Sequence, residues 1–258
     1  MTLRQAQGAI VKIVQLYPQE LGVTGDRGNV RALETRLERA GIPVEVVHVG
    51  IGDATPADAD VVILGNGPLS AMRIVADDLR ARRDELSAAI DAGVAVLAVG
   101  AGAELLSDGV ALLDGEVLDG LGILPLRVER TRERRVGYVI ADTVHGRLIG
   151  FEDHASEWAL GEGAEVYGTV VAGKGSFPRG AGSGETIRVR NVFATNVQGP
   201  VLPLNPQLSD EILRIAAERR GHSYRAGAEH DALNALAAGA RKAIEDRVGD
   251  EVFTYMKV

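Results

Sequence analysis

"VAVLAVGAGAELLS", residues 94–107, decides the fold. Its opening residues form an unbroken apolar run, the composition of a strand buried on both faces of a parallel sheet. A Gly-Ala-Gly turn follows, and a helix-forming stretch begins at once. Strand, tight turn and helix together make the unit in which several enzyme families hold a nucleophile above the carboxyl edge of a sheet. The bend projects the tip residue, and the start of the helix surrounds it with unpaired N–H groups. The tip residue here is Gly100, which has no side chain.

The same alternation extends upstream. Residues 10–16 read as an apolar strand, and "GDRGNVRALETRLERAG" (25–41) as a helix with Val30, Leu33, Leu37 and Ala40 on one face. Asn29 is its expected N-cap and Gly41 its C-terminal stop. "VEVVHV" (44–49) and "ADVVILGNG" (59–67) are further strands, and residues 70–92 one long helical stretch. Strands alternating with helices predict a three-layer α/β fold, a mostly parallel sheet flanked by helices. Beyond residue 117 shorter β segments are expected near 126–129, 136–141, 147–151, 166–170, 186–189 and 191–197, extending that sheet into a mixed one. The Gly-rich "GKGSFPRGAGSGE" (173–185) lacks phosphate-loop spacing and reads as a hairpin connection. Residues 208–220 and 228–248 read as helices, the second with Leu233, Leu236, Ala237, Ala240, Ile244 and Val248 on one face. With no repeat or linker in view, one domain over 1–258 is expected, with a C-terminal helical extension from about 221.

Composition removes several function classes. A net charge of −8 over 258 residues, with arginines interspersed among acids, gives no footprint for nucleic acid or an anionic membrane. The absence of cysteine excludes disulfides, Cys-ligated zinc, iron–sulfur clusters and thiol catalysis. "MTLRQAQGAIVKIVQLYPQE" carries no signal-peptide pattern and no apolar run spans a membrane, so a cytoplasmic protein is expected. "GAGAEL" superficially fits a dinucleotide fingerprint, but its third position is neither Gly nor Ala and it does not follow the first strand. His48 and His154 lack partners at ligand spacing and read as structural, so neither metal nor cofactor is expected.

Five blocks then carry a resemblance: "LYPQELGVTGDRGNV" (16–30), "AVLAVGAGAELL" (95–106), "LDGLGILPL" (118–126), "IGFEDH" (149–154) and "NVFATNVQGPVLPLNPQLSDEIL" (191–213). In collinear order over residues 10 to 220, they resemble the class I glutamine amidotransferases of the cobyric-acid-synthase type. The resemblance is greatest to the branch that works with a MurT-like Mur ligase in amidating the peptidoglycan precursor lipid II. It implies a flavodoxin-like sheet, glutamine hydrolysis by a Cys-His pair, and ammonia passed to the partner subunit.

Residue by residue, the carry-over fails at the chemistry. The family's cysteine block, Ala-Ile-Cys-Gly-Gly, falls on "AVGAG", which puts Gly100 at the cysteine; Tyr-Leu-His-Gly-Pro falls on "NVQGP", which puts Gln198 at the histidine. Glycine cannot attack a carbonyl, and the nearest hydroxyl downstream, Ser107, lies about 10 Å along the helix axis. A carboxamide takes up no proton near neutrality, so Gln198 cannot serve as base. No catalytic residue is therefore expected. Gly65 and Gly67 in "LGNGP", with the Ala101 N–H, fall where the family builds its oxyanion hole; the other reading is that the glycines serve turns needing φ > 0. Arg134 falls near a family arginine that contacts glutamine, or else belongs to the solvated charge run "RVERTRERR". The loops that resemble the family most lie at the carboxyl edge, and Asp26, Arg27, Asn29, Glu152 and Asn205 are the expected docking edge for the ligase. The resulting expectation is a glutaminase-inactive subunit of a heterodimer. A sensor of a small amide or amino acid, or new chemistry in the old pocket, are the alternatives.

Overall fold

A computed structural model describes residues 9–177 and 184–248, and the backbone of 254–257. Its first half runs β1 (Val11–Leu16), α1 (Asp26–Arg39), β2 (Val44–Val49), β3 (Val61–Leu64), α2 (Leu69–Ala81), α3 (Arg83–Asp91), β4 (Ala95–Val99) and α4 (Ala101–Leu106). Then come β5 (Gly109–Ala111), β6 (Val117–Asp119), β7 (Leu126–Thr143), β8 (Gly146–Leu160), β9 (Glu165–Ala172), β10 (Gly184–Val189), β11 (Val192–Thr195) and β12 (Val197–Gln198). The chain closes with α5 (Val201–Leu204), α6 (Pro206–Arg219), α7 (Asp231–Glu245) and β13 (Thr254–Lys257).

The centre of the sheet is parallel, in the order β2-β1-β3-β4-β11. Every residue of β3 and β4 is buried, as the continuous apolar runs demand. Alternation along them builds two cores. Val62, Leu64, Val96 and Ala98 pack with Met72, Val75 and Leu79 of α2 on one face. Val61, Ile63, Leu97 and Val99 pack with Leu33 and Leu37 of α1 and Ile212 and Leu213 of α6 on the other. The expected parallel central sheet flanked by helices is thus present, and burial of these two faces supplies its main driving force.

Beyond β11 the sheet continues through β10, β9, β7, β8 and β12, all antiparallel. The segments expected near 126–129 and 136–141 are one strand, β7, hairpinned to β8. Their register shifts between Arg130 and Arg135, so residues 131–134 bulge out of the ladder. The hairpin reading of 173–185 holds to the extent that β9 and β10 pair antiparallel; residues 178–183 lie outside the described residues.

Three expectations need correcting. The helix of 25–41 is capped by Gly25 in a left-handed conformation (φ 91°), not by Asn29, which sits buried in the first turn. There Asn29 Oδ1 accepts the Leu202 N–H at 2.9 Å, which ties α1 to α5. The stretch 70–92 is two helices that break at Arg82, whose guanidinium turns inward to Asp78, Tyr17 and Thr55. Among the described residues the C-terminal extension holds a 3-10 turn at Ala228–His230 and α7, and it also contributes a strand, 254–257 pairing with β7 as β13. α7 docks through Asn234, which accepts from Arg36, and Arg241, which donates to Asn205, while Leu236 stays 74% exposed. Among the described residues no helix is long and apolar enough to cross a membrane.

Candidate functional site

Loops leaving the carboxyl ends of β1, β3 and β4 meet the bulge of β7 and the middle of β8 around one cavity of about 770 Å³. Gly100 and Gln198 both line it, as do Asn66, Arg134 and His154. This is the crevice where an open parallel sheet places its chemistry.

Gly100 occupies the β4–α4 turn at φ 51°, ψ −113°, a conformation costly for any residue with a Cβ. Its N–H donates to Thr195 O at 2.8 Å, which pins the turn to β11. The turn is therefore tight and strained, and no side chain stands at its tip. The space is not empty. A Cβ on Gly100 would fall 2.2 Å from Asn66 Oδ1 and 2.6 Å from its Cγ.

Asn66 also engages the N–H expected of an oxyanion hole. Its Oδ1 accepts the Ala101 N–H at 2.9 Å, so that donor is occupied from within the protein. Asn66 is itself held at both backbone groups, donating to Asp26 Oδ2 (3.0 Å) and accepting from Val23 N–H (3.3 Å). Gly65 and Gly67 are present for closeness and not for positive φ, since neither has it. A Cβ on Gly65 would lie 2.0 Å from Leu21 O, and one on Gly67 2.7 Å from Glu20 O. Gly65 O accepts the Gly102 N–H, which closes the first turn of α4 against β3. Ser107 is spent structurally, its hydroxyl donating to Glu104 O at 2.6 Å where α4 ends.

The opposite wall is ionic. Arg134 faces the cavity and pairs with Asp153, a wall residue whose charge is met by a carboxylate. The Asp153 carboxylate beside it raises the Arg134 pKa, with partial burial acting against that. Gln198 Nε2 donates to Asp153 O at 3.2 Å. Arg130, which the charge run concealed, reaches Glu104, 2% exposed on the floor of the cavity. His154 is buried with Nδ1 3.0 Å from Ser156 O, and its Nε2 lies 3.6 Å from Glu152 Oε2 with no hydrogen-bond partner. His48 is exposed on the edge strand β2 and does not line the cavity.

The expected docking edge needs correction, because four of its five members are buried. Asp26, Asn29, Glu152 and Asn205 are at most 1% exposed; Arg27 alone faces solvent. Each buried one satisfies backbone groups that would otherwise be orphaned. Asp26 accepts the N–H of Asn66 and the hydroxyl of Thr24, and burial pushes its carboxyl pKa upward against those bonds. Glu152 accepts the N–H groups of Lys174 and Gly175. Asn205 accepts from Ile149 N–H and donates to Ile149 O and Val201 O. These residues hold the loops of the cavity in place and cannot meet a partner surface. No group of three or more His, Asp or Glu suited to a metal occurs among the described residues.

Residues 12–206 match the CobB/CobQ-like glutamine amidotransferase domain. The chain is 28% identical over 211 residues to a protein of Staphylococcus aureus (strain N315) named lipid II isoglutaminyl synthase (glutamine-hydrolyzing) subunit GatD, covering 81% of this chain and 85% of that one. It is 27% identical to the GatD of the same name from Streptococcus pneumoniae (strain ATCC BAA-255 / R6), covering 87% of each. Among solved structures, a glutamine amidotransferase superposes with a TM-score of 0.52 at 20% identity, over 79% of this chain and 98% of that one. The PurLQS structure from Thermotoga maritima gives 0.53 at 15% identity, over 81% and 97%. These last two resemblances are of fold alone.

Proposed function

The chain belongs to the CobB/CobQ-like glutamine amidotransferase family, and on that premise we propose that it is a GatD-like subunit of lipid II amidation whose glutaminase centre is inactive. Its role is to bind and stabilise a MurT-like Mur ligase. The observation that carries this reading is Gly100. The turn that would present a nucleophile is built, strained φ included, and it presents none. The whole chain lacks cysteine, and the Ser107 hydroxyl is already bound. Gln198, at the position that the resemblance gives to the catalytic histidine, cannot accept a proton.

The test is glutamate release from L-glutamine by the purified chain, alone and with its partner. Background rates are expected, and turnover like that of an ordinary amidotransferase overturns the reading. Gly100→Cys alone is expected to stay inactive, because the thiol has no base and Asn66 fills its space. For the partner, co-expression with the Mur-ligase-like proteins of the source cell is expected to yield a complex. Failure with all of them removes the scaffold role. A second reading, a pocket that binds a small amide or amino acid as a signal, is favoured by the open 770 Å³ in front of Asn66. A rise in Tm with glutamine or glutamate would favour it.

A further inference from the structure

The loss of a nucleophile explains why Gly100 is inert but not why Asn66 points where it does. Asn66 Oδ1 receives the N–H of Ala101, the donor that a glutamine carboxamide or its oxyanion would take in this fold. The same side chain passes through the position of a Cβ on Gly100, with Oδ1, Cγ and Cβ at 2.2, 2.6 and 3.2 Å from it. Its backbone is clamped on two sides, donating to the buried Asp26 carboxylate and accepting from the Val23 N–H, which fixes the point from which the side chain starts. We infer that Asn66 is an internal ligand of this centre. Its own carboxamide occupies the carbonyl subsite and the nucleophile's space together, and excludes glutamine from the site.

The inference rests on the inactive centre proposed above and adds the residue that keeps it closed. It has a chemical consequence. A ligand of the remaining cavity cannot use the Ala101 N–H unless Asn66 swings out, so a carboxamide gains nothing there. What remains open beyond Asn66 is lined by arginines already paired, Arg130 with Glu104 and Arg134 with Asp153.

The simplest competing account is that Asn66 only caps the six-residue helix α4. Two measurements separate the accounts. The first is a double-mutant cycle read by Tm: Gly100→Ala in the native background and in Asn66→Gly. With Asn66 in place the new methyl collides; without it the three nearest atoms are gone, and the backbone strain of φ 51° stays. The fall in Tm on Gly100→Ala is expected to be at least halved in Asn66→Gly, and folding in that background alone counts as the same result. An equal fall in both backgrounds, loss of folding in both included, overturns the inference. The second is calorimetric titration of folded Asn66→Gly with L-glutamine. Affinity is expected to be at least tenfold above the native chain, whereas mere removal of a cap would lower Tm and leave glutamine affinity unchanged. Native affinity equal to that of Asn66→Gly overturns it as well. Neither readout depends on hydrolysis or on a ligase, so the inference can fail while the inactive-subunit reading stands, and the reverse.

Discussion

The two walls of the cavity are built on opposite principles. The wall that leaves the parallel strands is packed tightly around glycines: Gly65 and Gly67 lie where a single carbon would strike the backbone oxygens Leu21 O or Glu20 O, and Gly100 where it would strike the Asn66 side chain. The wall contributed by β7 and β8 is a lattice of long side chains, Arg130 on Glu104 and Arg134 on Asp153, projected by a bulge. The first can change only by removing atoms. The second can change by exchanging charge. The cavity is thus fixed in shape on one side and adjustable on the other.

The largest expected effect falls on the first wall. Gly65→Ala places a methyl 2.0 Å from Leu21 O and 2.6 Å from Asp26 Cγ, both held by buried contacts, so neither can yield cheaply. Overpacking in a core typically costs 1–3 kcal/mol, and this contact should exceed about 3 kcal/mol, read as a lower urea midpoint at unchanged slope. A loss under about 1 kcal/mol would show that the wall is soft and remove the contrast.

On the second wall the contrast becomes one of burial. Arg130→Ala leaves Glu104 as an unpaired carboxylate 2% exposed and should cost about 2 kcal/mol, below the 3–5 of a fully buried pair because Arg130 is itself partly solvated. Arg134→Ala breaks a pair with both members about a third exposed, and should cost less than about 1 kcal/mol. Equal costs would mean that depth does not order this wall. Arg130→Met with Glu104→Gln should recover part of the first loss.

How far each wall could be read in the sequence follows from the same physics. Residues 94–107 and 59–67 announce themselves because a strand buried on both faces must be apolar throughout, and the glycines after it mark the turns. Asn66 stood in view between Gly65 and Gly67, but nothing in a sequence fixes the direction of a side chain in a turn. Its aim is set by Asp26, forty residues away. Arg130 and Arg134 looked like a solvated run because alternation cannot foretell the bulge at 131–134. Asp26, Asn29, Glu152 and Asn205 are expected at a docking edge because the loops that carry them resemble the family and lie at the carboxyl end of the sheet. They are buried because they pair with N–H groups and carbonyls of those same loops.

A smaller effect distinguishes two aspartates by sign. Burial opposes ionisation of Asp78, but hydrogen bonds from Arg82, Tyr17 and Gly52 prevail and hold it down at about 2. Its contribution to stability is complete above the unfolded value near 4 and is lost as pH falls through 2. Asp78→Asn should therefore trail the native chain at pH 6, by about 1 kcal/mol, and match it near pH 2. Asp26 is shifted the other way by burial, so its contribution is present below about pH 4 and lost as pH rises through its folded value. The Tm of Asp26→Asn relative to native should improve from pH 4 to pH 7. Parallel slopes for the two variants would contradict the placement of Asp26 in the dry wall.

The smallest expected change in stability is the most informative about partners. Of the residues expected at a docking edge only Arg27 is exposed, on the first turn of α1 beside the loop that lines the cavity. Arg27 is exposed, and exposed substitutions usually alter stability by less than about 0.5 kcal/mol, which for a chain of this size is roughly 1–2 °C in Tm. A rim charge acts on encounter, so Arg27→Glu should slow association with a MurT-like ligase and lessen its dependence on salt, with little change in dissociation. Asp26→Lys, by contrast, should unfold the loop and abolish binding indirectly, because it puts an unpaired cation into a buried site. If Arg27→Glu leaves association untouched at low salt, the partner does not approach over the first turn of α1. The arginine-lined wall of β7 and β8 is then the remaining face of the cavity for an approach.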